Sequence, residues 1–343
     1  MIRFIRYLLF PFSLLYALIV LVRNWAYDQG LLKSQSFPFP VVVIGNLSVG
    51  GTGKSPMTEY ILRLMQGQQR IAMLSRGYGR KTKGFREVKL NDKPTDVGDE
   101  PLQIKRKFKE TLVVVCEDRV RGISHILDQT EAVLLDDAYQ HRKLRPSFSI
   151  LLFDYASLQQ TILPLPTGNF RESLQGCKRA DLIVISKCPT EIPEQVKFSI
   201  ESRIRRFSRV PLFYTQIAYQ QLQTATGTVL ENHQLSDTTA LVLTGIAKPQ
   251  PLLDYLNPFL QEIIHLEYPD HHQFSTADLQ KISQHFKKIP ASDKIIITTE
   301  KDLQRLPDGF LREYPVYFLP IEQRFLFDQA NSFDTIVKRA FVR

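Results

Sequence analysis

Hydrophobic residues occur along most of this chain in short runs separated by longer polar stretches. From Pro38 onward, runs of four apolar residues stand at 41–44, 71–74, 112–115, 132–135, 150–153 and 182–185. Polar turns flank each run, and helix-length segments separate the runs, a pattern typical of buried parallel strands in βαβ units. The pattern predicts an α/β domain with a doubly wound parallel sheet.

A different pattern begins at residue 212. Apolar and polar residues partly alternate over 212–230, with a glycine at 227, which predicts a two-stranded antiparallel connector. The earlier rhythm then resumes at 240–244, 263–266, 294–298 and 316–319 and predicts a second, smaller α/β domain. We therefore expect four parts: an N-terminal helix over 1–28, a main domain over 29–211, a connector over 212–235 and a C-terminal domain over 236–343.

The N-terminal segment has the longest apolar run, residues 7–22, with Arg3 and Arg6 before it and Arg23 after it. As a helix it would extend about 24 Å at about 1.5 Å per residue, somewhat less than the roughly 30 Å of a bilayer core. A core helix would have to be buried on all sides, and a signal peptide would need a small-residue cleavage site that is not evident. The run favours a short membrane anchor or a helix embedded in one leaflet.

Composition narrows the class of protein. The chain has 343 residues, of which 43% are hydrophobic and 23% charged, which excludes a disordered chain and a polytopic membrane protein. A formal charge of +9 predicts an anionic partner: nucleic acid, nucleotide phosphates or an acidic membrane surface. Three cysteines without ligand-like spacing indicate a reducing compartment rather than a disulfide framework or a zinc site.

A glycine-rich loop follows the first predicted strand and precedes a helical pattern, as in a Walker A motif. It runs Ser48, Val49, Gly50, Gly51, Thr52, Gly53, Lys54, Ser55, with Ser48 where the first glycine is usual. In such loops backbone N–H groups surround phosphate oxygens, the lysine reaches the β- and γ-phosphates, and the hydroxyl ligates Mg²⁺. The loop predicts ATP and Mg²⁺ binding.

Asp136 and Asp137 directly follow the run at 132–135 and are placed as Walker B carboxylates that hold the metal. The alternative is a strand-end turn, in which aspartate is common. A guanine-specific protein would carry an Asn/Thr-Lys-x-Asp motif at a late strand, where this chain has Ser-Lys-Cys-Pro at 186–189. The remaining class is a small-molecule or lipid kinase.

A kinase needs an acid–base group beside the attacking hydroxyl. Asp99 stands in a turn before a basic helix, where it could also be a helix cap. Asp270, His271 and His272 follow a strand of the second domain and form the densest acid–base cluster in the sequence. These groups predict a dyad across the two domains, although spacing alone does not establish it.

Basic residues cluster in loops of the first domain, around Arg76, Arg119 and Arg171. A solvated basic surface would explain any one of them. Nucleic-acid binding would call for interleaved aromatic residues or a reading helix, and neither is evident. An acidic lipid head group accounts for these charges together with the N-terminal anchor.

Taken in order, these motifs resemble the tetraacyldisaccharide 4'-kinase family of lipid A biosynthesis over nearly the whole chain. The motifs that carry the resemblance are the loop at 45–56, Ser-Arg-Gly-Tyr-Gly at 75–79, Gly-Asp-Glu-Pro at 98–101, Asp-Arg at 118–119, Asp-Asp at 136–137 with Gln-His at 140–141, Leu-Pro at 163–164 with Arg-Glu at 171–172, and Pro-Asp-His-His at 269–272. Ser48 is similar to the way this family's loop begins.

The resemblance implies ATP- and Mg²⁺-dependent phosphorylation of the 4'-hydroxyl of a disaccharide 1-phosphate lipid at the cytoplasmic face of the inner membrane. The sequence itself gives no sign of an obligate protein partner. It implies that Asp99 acts as base with His271, with His272 in reserve, while Lys54 neutralises phosphate charge. Ser55, Asp136 and Asp137 would serve the metal. Residues implied to line the acceptor site are Arg76, Glu100, Arg119, Gln140, His141, Arg171 and Glu172.

A second hypothesis comes from a different class of protein. The same loop and anchor would suit a membrane-associated P-loop ATPase that acts as a switch or assembly factor and forms no phosphorylated product. Such a protein would hydrolyse ATP in response to a protein partner and would be indifferent to lipid. Loss of His271 and His272 would leave its hydrolysis largely intact.

Overall fold

The computed structural model describes residues 6–342, and every strand predicted from an apolar run is present. The strands in chain order are β1 Val41–Asn46, β2 Ile71–Ser75, β3 Arg86–Glu87, β4 Leu112–Val115, β5 Ala132–Asp136, β6 Phe148–Asp154, β7 Leu182–Ser186, β8 Leu212–Tyr219, β9 Leu222–Gln223, β10 Val229–Leu230, β11 Thr239–Thr244, β12 Glu262–Glu267, β13 Lys294–Thr299, β14 Val316–Leu319 and β15 Ile321–Phe325.

Helices connect most of the parallel strands. In chain order they are α1 Phe10–Asp28, α2 Lys54–Met65, α3 Pro94–Val97, α4 Asp99–Lys107, α5 Arg119–Ser124, α6 Tyr155–Gln159, α7 Glu194–Arg205, α8 Gln250–Leu256, α9 Thr276–Lys288, α10 Glu300–Leu303, α11 Asp308–Glu313 and α12 Ala330–Val342.

The larger sheet has nine strands in the order β15-β8-β7-β6-β1-β5-β2-β4-β3. Its interior pairs are parallel, and the outermost strands β3 and β15 pair antiparallel with their neighbours. Separate apolar clusters cover its two faces, which accounts for strands that are apolar at every position. The doubly wound α/β prediction is confirmed, and β1 and β5 at the centre bring the glycine-rich loop and Asp136 to one edge.

The smaller sheet has six strands in the order β10-β9-β14-β13-β11-β12. Strands β12, β11, β13 and β14 are parallel, whereas the short β9 and β10 form an antiparallel hairpin at one edge. Helices α9 and α11 pack on one face through Ile282, Phe286 and Phe310. The predicted second α/β unit is thus built on its own sheet and core.

The boundaries of the connector and of the C-terminal domain differ from those predicted. Strand β8 is part of the larger sheet, where it pairs parallel with β7 and antiparallel with β15. Strand β15 and helix α12 return to that sheet, and Phe333 and Phe341 of α12 are fully buried in its core. Alternation in sequence shows that a segment is a strand, but it does not identify the partner strand. The second domain is therefore an insertion between β8 and β15.

Helix α1 lies on the outside of the larger domain. It is the one helix among the described residues that is long and apolar enough to cross a membrane, and it is almost entirely exposed. Ser13 is its only buried residue, while Leu14, Leu15 and Leu18 are more than half exposed. A buried core helix is thus excluded; the first residues of the predicted N-terminal part, including Arg3, lie outside the described residues.

Candidate active site

The glycine-rich loop turns from the buried end of β1 into α2. Gly50 and Gly53 have φ of +99° and +78°, in the left-handed region that favours glycine. A side chain at Gly53 would also place its Cβ 2.7 Å from Nε2 of Gln323, which donates a hydrogen bond to the Gly53 carbonyl at 3.0 Å. The loop backbone is thus held from behind by β15.

Two neighbouring residues at the end of β7 also fix this loop. The Ser186 hydroxyl donates to the Thr52 carbonyl at 2.7 Å, and the Lys187 ammonium donates to the Gly51 carbonyl at 2.5 Å. These two hydrogen bonds attach the loop carbonyls to the carboxyl end of β7. Burial and the positive charges of Lys248 and Lys301 lower the pKa of Lys187.

Lys54, the first residue of α2, faces the strand-end carboxylates. Its ammonium lies 3.5 Å from Oδ1 of Asp137, and that oxygen also lies 3.4 Å from Nη1 of Arg171. Asp137 adopts a left-handed φ of 50°, which ends the strand direction and accompanies the turn of its carboxylate toward Lys54 and Arg171. Two cations from different loops therefore converge on one carboxylate.

Asp136 is buried at the end of β5, and its Oδ1 has no hydrogen-bond partner. Burial, followed by the nearby Glu100 carboxylate, raises the pKa of Asp136. A buried carboxylate oxygen without a donor costs free energy unless a cation is supplied. The residues therefore fit a divalent cation.

Within residues 6–342 no cluster of three or more His, Cys, Asp or Glu side chains is arranged to hold a metal by itself. This agrees with the chemistry of Mg²⁺, which in phosphate-binding sites takes one or two protein ligands and completes its shell with water and phosphate. Ser55, Asp136 and Asp137 are the protein groups placed to contribute.

Ser55 connects this edge to the second domain. Its hydroxyl donates to Oε1 of Glu100 at 2.9 Å, and the same oxygen accepts from the Lys301 ammonium at 2.5 Å. Burial by itself would raise the pKa of Glu100, but Lys301 and Ser55 outweigh it and bring the pKa to about 2. Glu100 is thus an anion held between Ser55 of the first domain and Lys301 of the second.

Asp99 and His271 come together across the two domains. Nδ1 of His271 lies 2.9 Å from Oδ2 of Asp99, and His271 itself sits in a turn with φ of 61°. Burial alone would raise the pKa of Asp99, but hydrogen bonds from His271 and Arg305 bring it to about 2. The hydrogen bond to Asp99 raises the pKa of His271, against the opposing effect of burial.

His272 points elsewhere. Its Nε2 lies 3.0 Å from Oδ2 of Asp278 in the first turn of α9, and its ring stacks on Tyr268 at 4.8 Å between centroids. The turn at His271 therefore separates the two adjacent rings. The structure brings His271, and not His272, to Asp99.

Five of the seven predicted acceptor residues lie in the region of Asp137 and of a pocket that α1 helps to form. Arg119 donates to the Asp137 carbonyl at 3.1 Å, and Gln140 donates to the Asn46 carbonyl at 2.6 Å. Gln140 and His141 line a pocket of about 370 Å³ whose wall includes Arg23 of α1. Arg171 lies between Gln140 and Asp137, and Arg76 is exposed near Arg119.

Glu172 and Glu100 occupy other positions. Glu172 is buried and accepts hydrogen bonds from Asn24 at 3.0 Å and from Arg179 at 2.8 Å, so it ties α1 to the body of the domain. Glu100 lies with Ser55 and Lys301, as described above. Glu172 thus contacts Asn24 and Arg179, and Glu100 contacts Ser55 and Lys301. Neither glutamate lines the pocket beside α1.

Sequence reasoning missed the segment Thr299 to Arg305. Lys301 contacts Glu100, and Arg305 contacts Asp99, so this segment faces both acids of the α4 N-terminus. The segment directly follows β13, and residues after the carboxyl ends of parallel strands are frequent site residues. The position of this segment after a parallel strand was the feature of the sequence that could have identified it.

Comparisons with known proteins agree with this architecture. A family model described as "Tetraacyldisaccharide-1-P 4'-kinase" matches residues 5–341. The tetraacyldisaccharide 4'-kinase of Flavobacterium johnsoniae is 42% identical over 330 residues, covering 95% of each chain. That of Phocaeicola vulgatus is 39% identical over 340 residues, covering 95% of this chain and 93% of its own.

A solved structure is similar over the same extent. The crystal structure of the "apo" form of LpxK from Aquifex aeolicus in complex with ATP has a TM-score of 0.78 and 29% sequence identity to this chain. The match covers 98% of this chain and 99% of that one. Both domains and the N-terminal helix therefore fall within the shared architecture.

Proposed function

This chain belongs to the tetraacyldisaccharide-1-P 4'-kinase family, and from that membership we propose specific roles for the site residues described above. The protein is an ATP-dependent kinase of lipid A biosynthesis that phosphorylates the 4'-hydroxyl of a tetraacyldisaccharide 1-phosphate. The alternative of a switch ATPase without a phosphorylated product is not favoured. The observation that carries the residue roles is the contact between Asp99 and His271 across the two domains.

The loop from Ser48 to Ser55 holds the ATP phosphates. Its backbone is fixed by Gln323, Ser186 and Lys187 from outside, so little reorganisation is needed when phosphate oxygens bind. Lys54 lies 3.5 Å from Asp137 and exchanges this partner for the phosphates.

Mg²⁺ would be held by the Ser55 hydroxyl and by Asp136 and Asp137. When bound, such an ion neutralises charge that develops on the transferred phosphoryl group. The unpartnered Oδ1 of Asp136 supports this assignment. The Ser55 hydroxyl keeps its hydrogen on Glu100 and leaves its lone pairs available.

The proton of the attacking hydroxyl is taken by the dyad. Asp99 was expected to be the base, but its oxygens accept hydrogen bonds from Arg305 and His271, and its pKa is about 2. When Nδ1 of His271 donates to Asp99, Nε2 carries the lone pair, and the nearest carboxylate to it, Asp270, is 3.8 Å away. We therefore assign proton acceptance to Nε2 of His271, with Asp99 as its orienting anion.

The acceptor glycolipid enters beside α1. The pocket between Gln140, His141 and Arg23 lies next to this exposed apolar helix, so the acyl chains can stay against α1 while the head group reaches the basic residues. This arrangement supports insertion of α1 into the inner membrane, with both domains on the cytoplasmic side. Salt washing should leave the protein on membranes, and detergent should release it; release by salt alone contradicts the insertion.

The test of the dyad compares His271→Gln with His272→Gln, adjacent residues with different partners. We expect His271→Gln to lower kcat for transfer of labelled γ-phosphate into organic-extractable glycolipid by about 10²- to 10⁴-fold. His272→Gln should stay within about threefold of the wild type, because its ring contacts Asp278 and not Asp99. Equal losses in the two variants would contradict the assignment.

A further inference from the structure

Arg305 is a fully buried cation at the boundary between the two domains. Its side chain has no exposed surface, and it comes from the second domain, just after α10. Its guanidinium reaches the first residue of α4 in the first domain. A buried charge of this kind is retained only where its partners are well arranged.

The contact between Arg305 and Asp99 is bidentate. Nε of Arg305 donates to Oδ1 at 3.0 Å, and Nη2 donates to Oδ2 at 2.5 Å. This fork fixes the plane of the carboxylate as well as its position. A lysine, with one ammonium, could hold the position but not the plane.

Arg305 is itself fixed from behind. Its Nη1 donates to Oδ1 of Asp302 at 2.8 Å, and Asp302 is completely buried. Oδ2 of Asp302 also accepts hydrogen bonds from Gly245 N at 2.9 Å and from the Thr299 hydroxyl at 2.7 Å. The guanidinium therefore belongs to a rigid part of the second domain, next to the turn that carries His271.

Oδ2 of Asp99 receives two donors side by side. Nη2 of Arg305 and Nδ1 of His271 both point to this oxygen and lie 3.1 Å from each other. Because each donor uses a separate lone pair of the oxygen, Arg305 leaves one direction open for the imidazole. The position of the ring, and hence of Nε2, depends on the carboxylate that Arg305 holds.

We propose that Arg305 is a positioning residue of the phosphoryl transfer: it locks the Asp99 carboxylate so that His271 presents Nε2 to the acceptor hydroxyl. This inference rests on the role proposed above for His271. Because Arg305 and His271 both belong to the second domain, docking of that domain assembles the whole group in one step. Nothing in the reaction requires Arg305 to touch ATP or the glycolipid.

The charges around His271 give this role a measurable signature. The groups that face it are Asp99 from α4, Asp270 from its own turn, and Lys301 and Arg305 from the segment after β13, with the Tyr78 ring 5.6 Å away. Removing the Arg305 charge removes a cation beside the ring and favours the imidazolium. Only neutral His271 accepts a proton, so kcat falls on the acidic side of its pH profile as His271 becomes protonated. This acid limb should move to higher pH in a variant that lacks the Arg305 charge.

The experiment uses the full-length enzyme in detergent with ATP, Mg²⁺ and the tetraacyldisaccharide 1-phosphate. Arg305→Gln should lower kcat at pH 7 by about 100-fold, leave KM for ATP within about threefold, and move the acid limb upward by at least about half a pH unit. Arg305→Lys keeps the charge, so it should keep the wild-type limb while kcat falls by about 10-fold.

Arg106→Gln is the matched control. Arg106 donates to Gln304 at 2.7 Å across the same domain boundary and does not contact the dyad, so its loss should leave the pH profile and kcat near those of the wild type. Thermal unfolding of each variant shows whether it is folded. If Arg305→Gln is unfolded, Arg305→Lys decides, because wild-type kcat in that variant overturns the proposal.

Two further outcomes would overturn it. One is a folded Arg305→Gln enzyme with wild-type kcat. The other is an Arg305→Gln enzyme that loses activity with an unchanged acid limb and a matching loss of ATP binding. Failure of the underlying assignment looks different: His271→Gln would then retain wild-type turnover whatever Arg305→Gln does.

Discussion

Asp136 and Asp137 are adjacent in sequence but have different surroundings. Asp136 ends β5 in the buried interior with an unpartnered oxygen, whereas Asp137 adopts a left-handed backbone conformation and meets Lys54 and Arg171. The positive charges already satisfy Asp137. Of the two carboxylates, Asp136 is therefore the one that a bound cation would stabilise more.

This difference predicts the effect of Asp136→Asn. The change keeps the shape and removes the charge, so the apparent Mg²⁺ affinity measured with a fluorescent ATP analogue should fall on the order of 100-fold. Asp181→Asn is the control, since Asp181 directly precedes β7, at the end of the sheet away from the phosphate loop, and asparagine can still accept the hydrogen bond from Ser149 N. Wild-type Mg²⁺ dependence in Asp136→Asn would contradict the assignment.

At single residues the sequence predicted chemistry better than it predicted contacts. The phosphate loop and the Asp136–Asp137 pair could be recognised because local spacing dictates their geometry. The choice between His271 and His272 could not be made, because it depends on a left-handed turn and on Asp278. Arg305 was invisible for the same reason: its partner Asp99 is 206 positions away in the chain.

At the level of elements, α1 is attached to the nucleotide loop through the segment 163–172. The Ser13 hydroxyl donates to Thr167 Oγ1 at 2.8 Å and accepts from Thr167 N at 2.9 Å. In the same segment, the Asn169 carbonyl accepts a hydrogen bond from Val49 N at 2.7 Å, and Arg171 N donates a hydrogen bond to the Leu47 carbonyl at 2.7 Å. One segment thus contacts both the exposed apolar helix and the phosphate loop.

Ser13→Ala tests this connection. Alanine removes only the hydroxyl oxygen and leaves the buried Thr167 N–H without an acceptor, which costs about 1 to 3 kcal/mol. We expect a lower thermal unfolding midpoint and a KM for ATP raised about threefold or more, because the segment that holds Val49 is loosened. Leu18→Ser, on the exposed face of α1, should weaken membrane pelleting and leave KM for ATP unchanged. A wild-type KM in Ser13→Ala would count against the connection.

Elements with a continuous apolar run were predictable, and elements at the sheet edge were not. Strand β1 is buried at all six positions, so hydrophobicity alone reveals it. Strand β15 reads Ile-Glu-Gln-Arg-Phe and is half exposed, so its pattern is weak. Its pairing with β8 spans about a hundred residues and follows from tertiary contacts that local sequence does not encode.

At the level of the whole molecule, a polar interface joins the two domains along α4. Lys107 lies between Glu59 of the first domain, at 2.5 Å, and Glu300 of the second, at 2.8 Å. Burial, and then the Glu59 charge, raise the pKa of Glu300 to about 7, although Lys107 opposes them. Two carboxylates share one cation here, so the interface responds to pH.

The sign of this response can be predicted. An acid whose pKa is raised in the folded state adds stability at low pH, and this contribution is lost as pH rises from the ordinary glutamate value to about 7. Glu300→Gln cannot ionise, so it avoids this fall in stability. The variant should be as stable as the wild type near pH 5 and more stable at pH 8 by about 1 to 2 kcal/mol, which corresponds to a few degrees in the thermal midpoint. Glu313→Gln, a change at an exposed residue, is the control and should differ in stability from the wild type by the same amount at both pH values. Lower stability of Glu300→Gln at both pH values would contradict the prediction.

The route of the chain between its two sheets has a consequence for how the enzyme is divided. Tyr219 of β8 and Ile321 of β15 are opposite each other in an antiparallel pair. Residues 220–320 therefore form an inserted module, the guest, within a hairpin of the first domain, the host. The host alone would keep the phosphate loop, Asp136 and Asp99. The guest supplies His271 and Arg305. With the residue roles proposed above, nucleotide binding would belong to the host and proton acceptance to the guest, so we expect neither module to act as a kinase without the other.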